Sequence, residues 1–363
     1  MLRLVSLLAV LSLGQLEPGA NVGVAGYQPP ELKGAVGEVA EPWLRADALW
    51  YLKVATQGYS SDDGTLAFFP AFPALTRVVD HVVGNEAIAG LLVANLASWL
   101  GLVLLFGFVR QLLDSRAART AVFGTALFPT AFFFVAPYGE PVLLAAGSAA
   151  LLFALRGEHA SSFAAGAVAA LSRPFGFALA IPVAAIVLRG HGRRRWLAPA
   201  GPLAGIVGWA LYSWRLTGDP MALVNIQENW QRELTPFWET LWAGFTSWRV
   251  WDGTEYGSYF LFDIAATLFG LALGGLVIRA LRKTDLSVGV GLAAYGGVVL
   301  LLPLSLPFLA RPLLSNPRFV LALFPLFVGL IVLPGKLRVA LGVLSAMGLF
   351  VGTLVYLAGR PLY

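Results

Sequence analysis

The sequence predicts an all-α, polytopic membrane protein, and three observations carry that prediction. Hydrophobic residues make up 58% of the 363-residue chain, and the mean hydropathy is +0.75. Charged residues make up only 12%, about half of the roughly 25% usual in soluble domains. Apolar runs approaching the ~20 residues that cross a bilayer recur along the whole chain. A soluble domain has no interior large enough to bury this much apolar surface. The composition therefore excludes a cytoplasmic globular enzyme, a disordered chain and a fibrous one. With no cysteine, disulfides, thiolate chemistry and Cys-ligated metals are excluded as well. The three histidines, His81, His159 and His191, lie far apart and form no metal-ligand pattern.

Taken in order, the expected spans are 4–16, 86–109, 117–135, 139–155, 160–171, 174–188, 196–214, 257–278, 286–304, 317–333 and 336–357. That is about eleven helices, within a range of 9–12. The first is short and is read as a retained anchor, because no clean small-residue cleavage site follows it. The segments 160–171 and 174–188 are also short and read as two half-length helices meeting at Ser172-Arg173-Pro174. The whole chain, 1–363, reads as one integral membrane domain.

Orientation follows from the basic residues. With the N-terminus inside, the short breaks collect Arg3, Arg110, Arg116, Arg119, Arg156, Arg189, Arg193, Arg194, Arg195, Arg279, Arg282, Lys283, Lys336 and Arg338. Only Asp114, Glu158 and Asp285 oppose them. The pI near 9.6 thus reflects membrane topology, not nucleic-acid binding. The two long connections, 17–85 and 215–256, then lie outside and carry short interfacial helices. Both are rich in Trp, Tyr and Phe. Long loops of this kind usually carry function, so the active site is expected on the extracytoplasmic face of the plasma membrane.

The first loop contains Arg45-Ala46-Asp47-Ala48-Leu49-Trp50-Tyr51-Leu52-Lys53. Pro42 is placed to open a short helix that ends at Gly58. Asp47, Trp50, Tyr51 and Val54 then share one face. A carboxylate beside aromatic rings suits a sugar, because the carboxylate takes a proton from a hydroxyl while a ring packs on the pyranose. The same face equally suits an interfacial helix in the aromatic belt. Asp62-Asp63 is a weak alternative as a metal site, and a solvated turn is the plainer reading. Phe68-Phe69-Pro70-Ala71-Phe72-Pro73 reads as a break ahead of a segment at 74–83.

Glu140, in the tight Pro137-Tyr138-Gly139-Glu140-Pro141 break, sits at the outer start of a span. It suits either a helix N-terminal charge or a site residue. Arg173 precedes Pro174 between two apolar runs, and Arg318 follows Pro317 at the outer end of another. A guanidinium at such a depth lies in an ordinary interfacial loop or needs an anion, and its fork is well shaped for phosphate. The second loop interleaves amides with Trp230, Trp238, Trp242, Trp248 and Trp251, and also carries Arg232, Arg249 and Asp252. That pattern suits carbohydrate recognition and a helix on the membrane surface equally.

Together these pieces resemble the GPI mannosyltransferase II family and its bacterial relatives, which are class C glycosyltransferases. The matching residues are Arg45, Asp47, Trp50, Tyr51, Leu52, Ala55, Gly58 and Tyr59, then Phe68, Phe69, Pro70 and Pro73. Pro137, Tyr138 and Glu140 follow, then Ser172, Arg173, Pro174 and Gly176, and late in the chain Pro317, Arg318, Phe319 and Pro325. Family members typically show Trp before the Asp and Asn-Gly after the middle Arg, where this chain has Ala46 and Pro174-Phe175-Gly176.

The resemblance implies a class C fold and an inverting transferase that moves mannose from a polyprenyl-phosphate donor. The acceptor implied is lipid-linked, glycan or protein, on the outer face. Asp47 would be the general base, and Arg173 and Arg318 would hold the donor phosphate. Arg45, Trp50, Tyr51, Tyr138 and Glu140 would contact substrate. No cofactor or metal is expected. The expected partners are the lipid-linked donor, the bilayer and a carbohydrate-containing acceptor, without nucleic acid. The alternative is a transporter or flippase of lipid-linked sugars, or a polymerase or ligase of lipid-linked glycans. Intramembrane Asp263 is the residue a transport reading would use.

Overall fold

The computed structural model describes residues 23–247, 257–308 and 311–359. The expected span at 4–16 and residues Trp248, Arg249, Trp251 and Asp252 lie outside these. Among the described residues, regular structure is helical, apart from isolated bridges such as Val24–Tyr27 and Arg232–Phe308.

Four helices are long and apolar enough to cross a membrane: Glu86–Leu112, Phe260–Leu281, Leu286–Leu304 and Gly335–Leu357. The expected count of about eleven such spans is therefore not confirmed among the described residues. The remaining segments form helices that are shorter, broken or less apolar, and proline causes most of the breaks. The segment expected at 117–135 is α-helical only over Ser115–Leu127, with a 3-10 turn at Ala131–Phe134, because Phe128 precedes Pro129 and adopts φ −55°, ψ 141°. A residue before proline is pushed out of the helical region by the proline ring. Arg173 behaves alike, extended at φ −153°, ψ 151° ahead of Pro174. It separates the helix His159–Ala170 from a 3-10 turn, Pro174–Leu179, and a short helix, Ala180–Val187. The last break lies at 316–333, where one α-turn, Asn316–Phe319, continues as a 3-10 helix, Val320–Val332. Leu197–Thr217 has the length, but Gly, Pro and Trp dilute its apolarity.

Close helix contacts hold these pieces together. Gly201 and Gly205, spaced four apart, bring Leu197–Thr217 onto His159–Ala170. A Cβ at either would lie 2.1 Å from the Phe163 carbonyl oxygen or 2.5 Å from that of Ala167. Small residues at this spacing let membrane helices approach backbone to backbone. The aromatic run Phe132-Phe133-Phe134 is buried at the centre. Beside it, the Tyr356 hydroxyl donates to the Trp43 carbonyl at 3.0 Å, tying the last helix to the first loop.

Two details of the first loop differ from expectation. The helix opens at Asp47, not at Pro42, which lies in a separate 3-10 turn, Glu41–Trp43. Between them the chain reverses at Ala46, with φ 50° and ψ −127°. Asp47–Gln57 then ends at Gly58 as expected. The segment after the Phe-Phe-Pro break starts at Ala71, three residues early, because Pro73 falls in the first turn, where its missing N–H costs nothing. The Ala71 amide donates to the Leu171 carbonyl at 2.8 Å, docking this loop beside Arg173.

An alanine at positive φ is strained by about 1–3 kcal/mol. Ala46→Gly is therefore expected to stabilise the protein by about 1 kcal/mol after the extra chain entropy of glycine. Thermal unfolding in detergent checks this, and an unchanged or lower midpoint contradicts the assigned backbone.

Candidate active site

Three proline breaks and the turn at Ala46 bring charged residues to one end of the bundle. Glu140 opens the helix Glu140–Arg156 with Pro141 behind it. Its carboxylate lies against the Arg318 guanidinium, accepting from Nε and, at 3.4 Å, from Nη2. Arg173 Nη2 lies 3.4 Å from the same carboxylate. Arg318 Nη1 reaches on to Asp47 Oδ2 at 2.5 Å. The Glu140 and Arg318 side chains are only 2% and 4% exposed, whereas Asp47 is 30% exposed. One carboxylate thus holds two arginines from beneath, and one of these holds a second carboxylate at the surface.

Aromatic rings line this network. The Arg318 guanidinium sits 4.5 Å from the Tyr138 ring centroid and 4.9 Å from that of Phe133. The Tyr138 hydroxyl donates to the Arg45 carbonyl at 3.3 Å. Arg173 Nη1 donates to the Tyr51 hydroxyl at 3.2 Å, and burial pushes the Tyr51 phenol above its ordinary pKa, so it remains a neutral hydroxyl. Of the residues expected to contact substrate, Tyr51, Tyr138 and Glu140 are buried and support the arginines from below. Arg45 is half-buried, and its Nε donates to the Pro42 carbonyl. Trp50 stacks on Phe68 with ring centroids 5.4 Å apart and meets Trp230 edge-on at 5.2 Å.

Trp230 brings the second loop over the first, and with it comes Arg232, to which the sequence gives no role of its own. Arg232 is anchored by Nη1 to the Leu306 carbonyl at 2.8 Å. Burial pulls its guanidinium down from the ordinary value, and Asp47, Arg173 and Arg318 are near enough to act on it. An arginine stays charged through such shifts. Among the described residues, three guanidiniums, Arg173, Arg232 and Arg318, therefore face two carboxylates, Asp47 and Glu140, which leaves one positive charge in excess. Arg173 Nε and Trp230 Nε1 are buried without a hydrogen-bond partner among the described residues.

Backbone strain gathers at the same place. Among the described residues, three that are not glycine have positive φ: Ala46 at 50°, Gln231 at 54° and Ser315 at 70°. They immediately precede Asp47, Arg232 and the Asn316-Pro317-Arg318 turn. Strained backbone persists where surrounding structure enforces it, and it clusters at functional sites. A buried ion pair, Arg311 to Asp263 at 2.6 and 2.7 Å, and a bond from Asn316 to Thr267 at 2.9 Å fasten the 311–316 loop to the helix Gly257–Leu281.

Asp63 is engaged by Lys53 at 2.8 Å and by Thr65. Burial pushes its carboxyl up, but these partners outweigh it and hold the pKa below the ordinary value. Asp62 accepts from Ser60 and Ser61. Among the described residues no three His, Asp or Glu side chains converge.

Residues 68–214 match the dolichyl-phosphate-mannose-protein mannosyltransferase family, a stretch shorter than half the chain that includes Glu140 and Arg173. Asp47, Arg232 and Arg318 lie outside it. No curated protein matches the chain. ArnT from Cupriavidus metallidurans, solved bound to undecaprenyl phosphate, superposes with a TM-score of 0.53 at 16% identity, over 99% of this chain and 76% of that one. The fold is therefore that of ArnT. The oligosaccharyltransferase of Archaeoglobus fulgidus, solved with zinc and sulfate, gives a TM-score of 0.42 at 17% identity. The chain covers 53% of that protein's length.

Glu140→Gln would leave two buried arginines without their shared counterion. Breaking a buried pair from one side typically costs about 3–5 kcal/mol. Asp47→Asn, at a partly exposed partner, is expected to cost about 1 kcal/mol or less. Equal losses of thermal stability in the two variants would contradict this ranking.

Proposed function

We propose that the protein is an inverting membrane glycosyltransferase that moves a sugar from a polyprenyl-phosphate donor to an acceptor hydroxyl. One observation carries the reading: a partly exposed carboxylate, Asp47, is pinned beside a cluster of arginines with positive charge to spare. A carboxylate that accepts a proton next to a site that accepts phosphate is what displacement at a phosphate-activated sugar requires. The fold shared with ArnT, whose structure holds undecaprenyl phosphate, supports a lipid-linked donor. The description of the matching family supports mannose as the sugar, as does the resemblance of the motifs.

In the reaction, the acceptor hydroxyl loses its proton to Asp47 as its oxygen bonds to the anomeric carbon. The bond from that carbon to the phosphate oxygen breaks, and the electron pair leaves with the polyprenyl phosphate. The phosphate gains negative charge as this happens, so contacts from Arg173 and Arg232 strengthen in the transition state. Arg318, engaged through Nε, Nη1 and Nη2, orients Asp47. Glu140 is occupied by two arginines, so one carboxylate remains for chemistry. That suits a single displacement with inversion. The acid a transport reading would rely on, Asp263, is closed in its pair with Arg311.

Purified protein in nanodiscs, given radiolabelled polyprenyl-phosphate mannose and membrane-lipid acceptors, is expected to transfer label. Polyprenyl-phosphate glucose serves as the competing donor. Asp47→Asn should lower the rate by about 10²–10⁴-fold. Transfer at the parent rate by the folded variant overturns the base assignment. The reading also places the site outside the cell. Ser61→Cys should react with an impermeant thiol reagent on intact cells, and His191→Cys should not. His191 is the better probe of its loop, because neighbouring Gly192 has φ +88° and resists a side chain. The opposite labelling pattern contradicts the orientation.

A further inference from the structure

A groove of about 710 Å³ runs along the bundle between the helices Ser115–Leu127, Gly257–Leu281 and Gly335–Leu357 and the 3-10 helix Val320–Val332, from Pro129 and Phe262 nearer the active site to a mouth remote from Asp47. Its walls are apolar, with Phe123, Phe128, Phe269, Phe327 and Leu344 among them. Three arginines, Arg116, Arg119 and Arg338, line it as well. Arg116 and Arg119 belong to the first turns of one helix and Arg338 to the first turn of another, so all three gather at one mouth. Arg338 Nη1 donates to the Ile331 carbonyl at 3.2 Å, at the far end of the 3-10 helix that follows Arg318. A 3-10 rise of about 2.0 Å per residue places this mouth some 20 Å or more from Arg318.

Among the described residues no carboxylate pairs with any of the three arginines. The nearby acids are committed elsewhere: Asp114 caps its helix through the Ala117 amide at 2.7 Å, and Asp285 caps another through Val288 and pairs with Arg189. A second copy of this chain would bring a basic end against a basic end. The volume falls in the range of ligand-binding pockets. An apolar trough with a cluster of unpaired guanidiniums at one mouth is complementary to a molecule with a hydrocarbon tail and an anionic phosphate head.

We infer that this groove is a binding site for an anionic glycerophospholipid of the leaflet opposite the active site. The phosphate lies on Arg116, Arg119 and Arg338, and an acyl chain lies between the aromatic walls. The site is separate from the donor site: its head-binding end faces the other way, and it needs no part of the transfer reaction.

The test is native mass spectrometry of the protein released from nanodiscs of equal phosphatidylglycerol and phosphatidylcholine. The parent is expected to retain phosphatidylglycerol selectively. Arg116→Gln/Arg119→Gln/Arg338→Gln should lose at least tenfold of that retention. Arg193→Gln/Arg194→Gln/Arg195→Gln, with the same charge change in another loop, should keep it. Gly342→Phe keeps all three arginines and fills the groove, where an added Cβ meets nothing within 4 Å. It too should lose the lipid, while its unfolding midpoint shows that it folds. Parental retention in the first triple variant or in Gly342→Phe overturns the site. So does equal loss in the Arg193 control, which would mean that charge alone attracts lipid, and so does equal retention of both lipids by the parent.

Discussion

The site depends on one buried carboxylate. Glu140 accepts from Arg318 and lies beside Arg173, in a region where an unpaired charge of either sign is costly. Through it, three chain segments separated by breaks are held at fixed distances: the start of the Glu140 helix, the extended Arg173 ahead of Pro174, and the Asn316–Phe319 turn. Asp47 joins through Arg318, from a loop 271 residues away in the chain. If Glu140 were neutral, two guanidiniums would repel one another, and the carboxylate meant for chemistry would lose its support.

This arrangement divides the labour among the arginines. Arg318, held by Glu140 and Asp47, positions. Among the described residues, Arg173 retains a buried Nε without a partner, and Arg232 leans over from the second loop without an ion-pair partner. The proposed donor phosphate would complete a cluster that otherwise carries one positive charge too many. The three strained residues, Ala46, Gln231 and Ser315, mark where the backbone is bent to deliver these side chains. The packing that enforces the strain is the aromatic stack of Trp50, Phe68 and Trp230 and the latch from Arg311 to Asp263.

Much of this was legible in the sequence, for identifiable reasons. Proline acts on its immediate neighbour, so the break at Arg173 follows from local chemistry; the same rule at Pro129 breaks the expected span 117–135 at Phe128, which hydropathy alone passed through. Hydropathy marks long uninterrupted spans such as Glu86–Leu112, but it does not show where proline interrupts the α-helix, as at 174–188 and 317–333. Glu140, Arg173 and Arg318 were each visible as charges beside breaks, and Asp47 as a carboxylate on an aromatic helix face. Their mutual pairing was not, because Glu140 and Arg318 stand 178 residues apart and periodicity carries no long-range contact. The place of Arg232 at the site was hidden for the same reason: in sequence it is one basic residue in a polar loop, and only the packing of Trp230 on Trp50 brings it there. The turn at Ala46 left no signal at all, since an alanine gives no hint of positive φ.

The claim that the excess guanidinium charge receives a lipid phosphate is tested most directly by binding, without turnover. Undecaprenyl phosphate titrated into the parent, Arg173→Gln and Arg232→Gln should bind about ten- to a hundredfold more weakly to each variant, as expected for losing a hydrogen bond to a charged group. Arg232→Gln should shift the unfolding midpoint only slightly, since among the described residues its guanidinium makes no ion pair and is hydrogen-bonded to the Leu306 carbonyl. Undiminished binding by both folded variants would contradict the account.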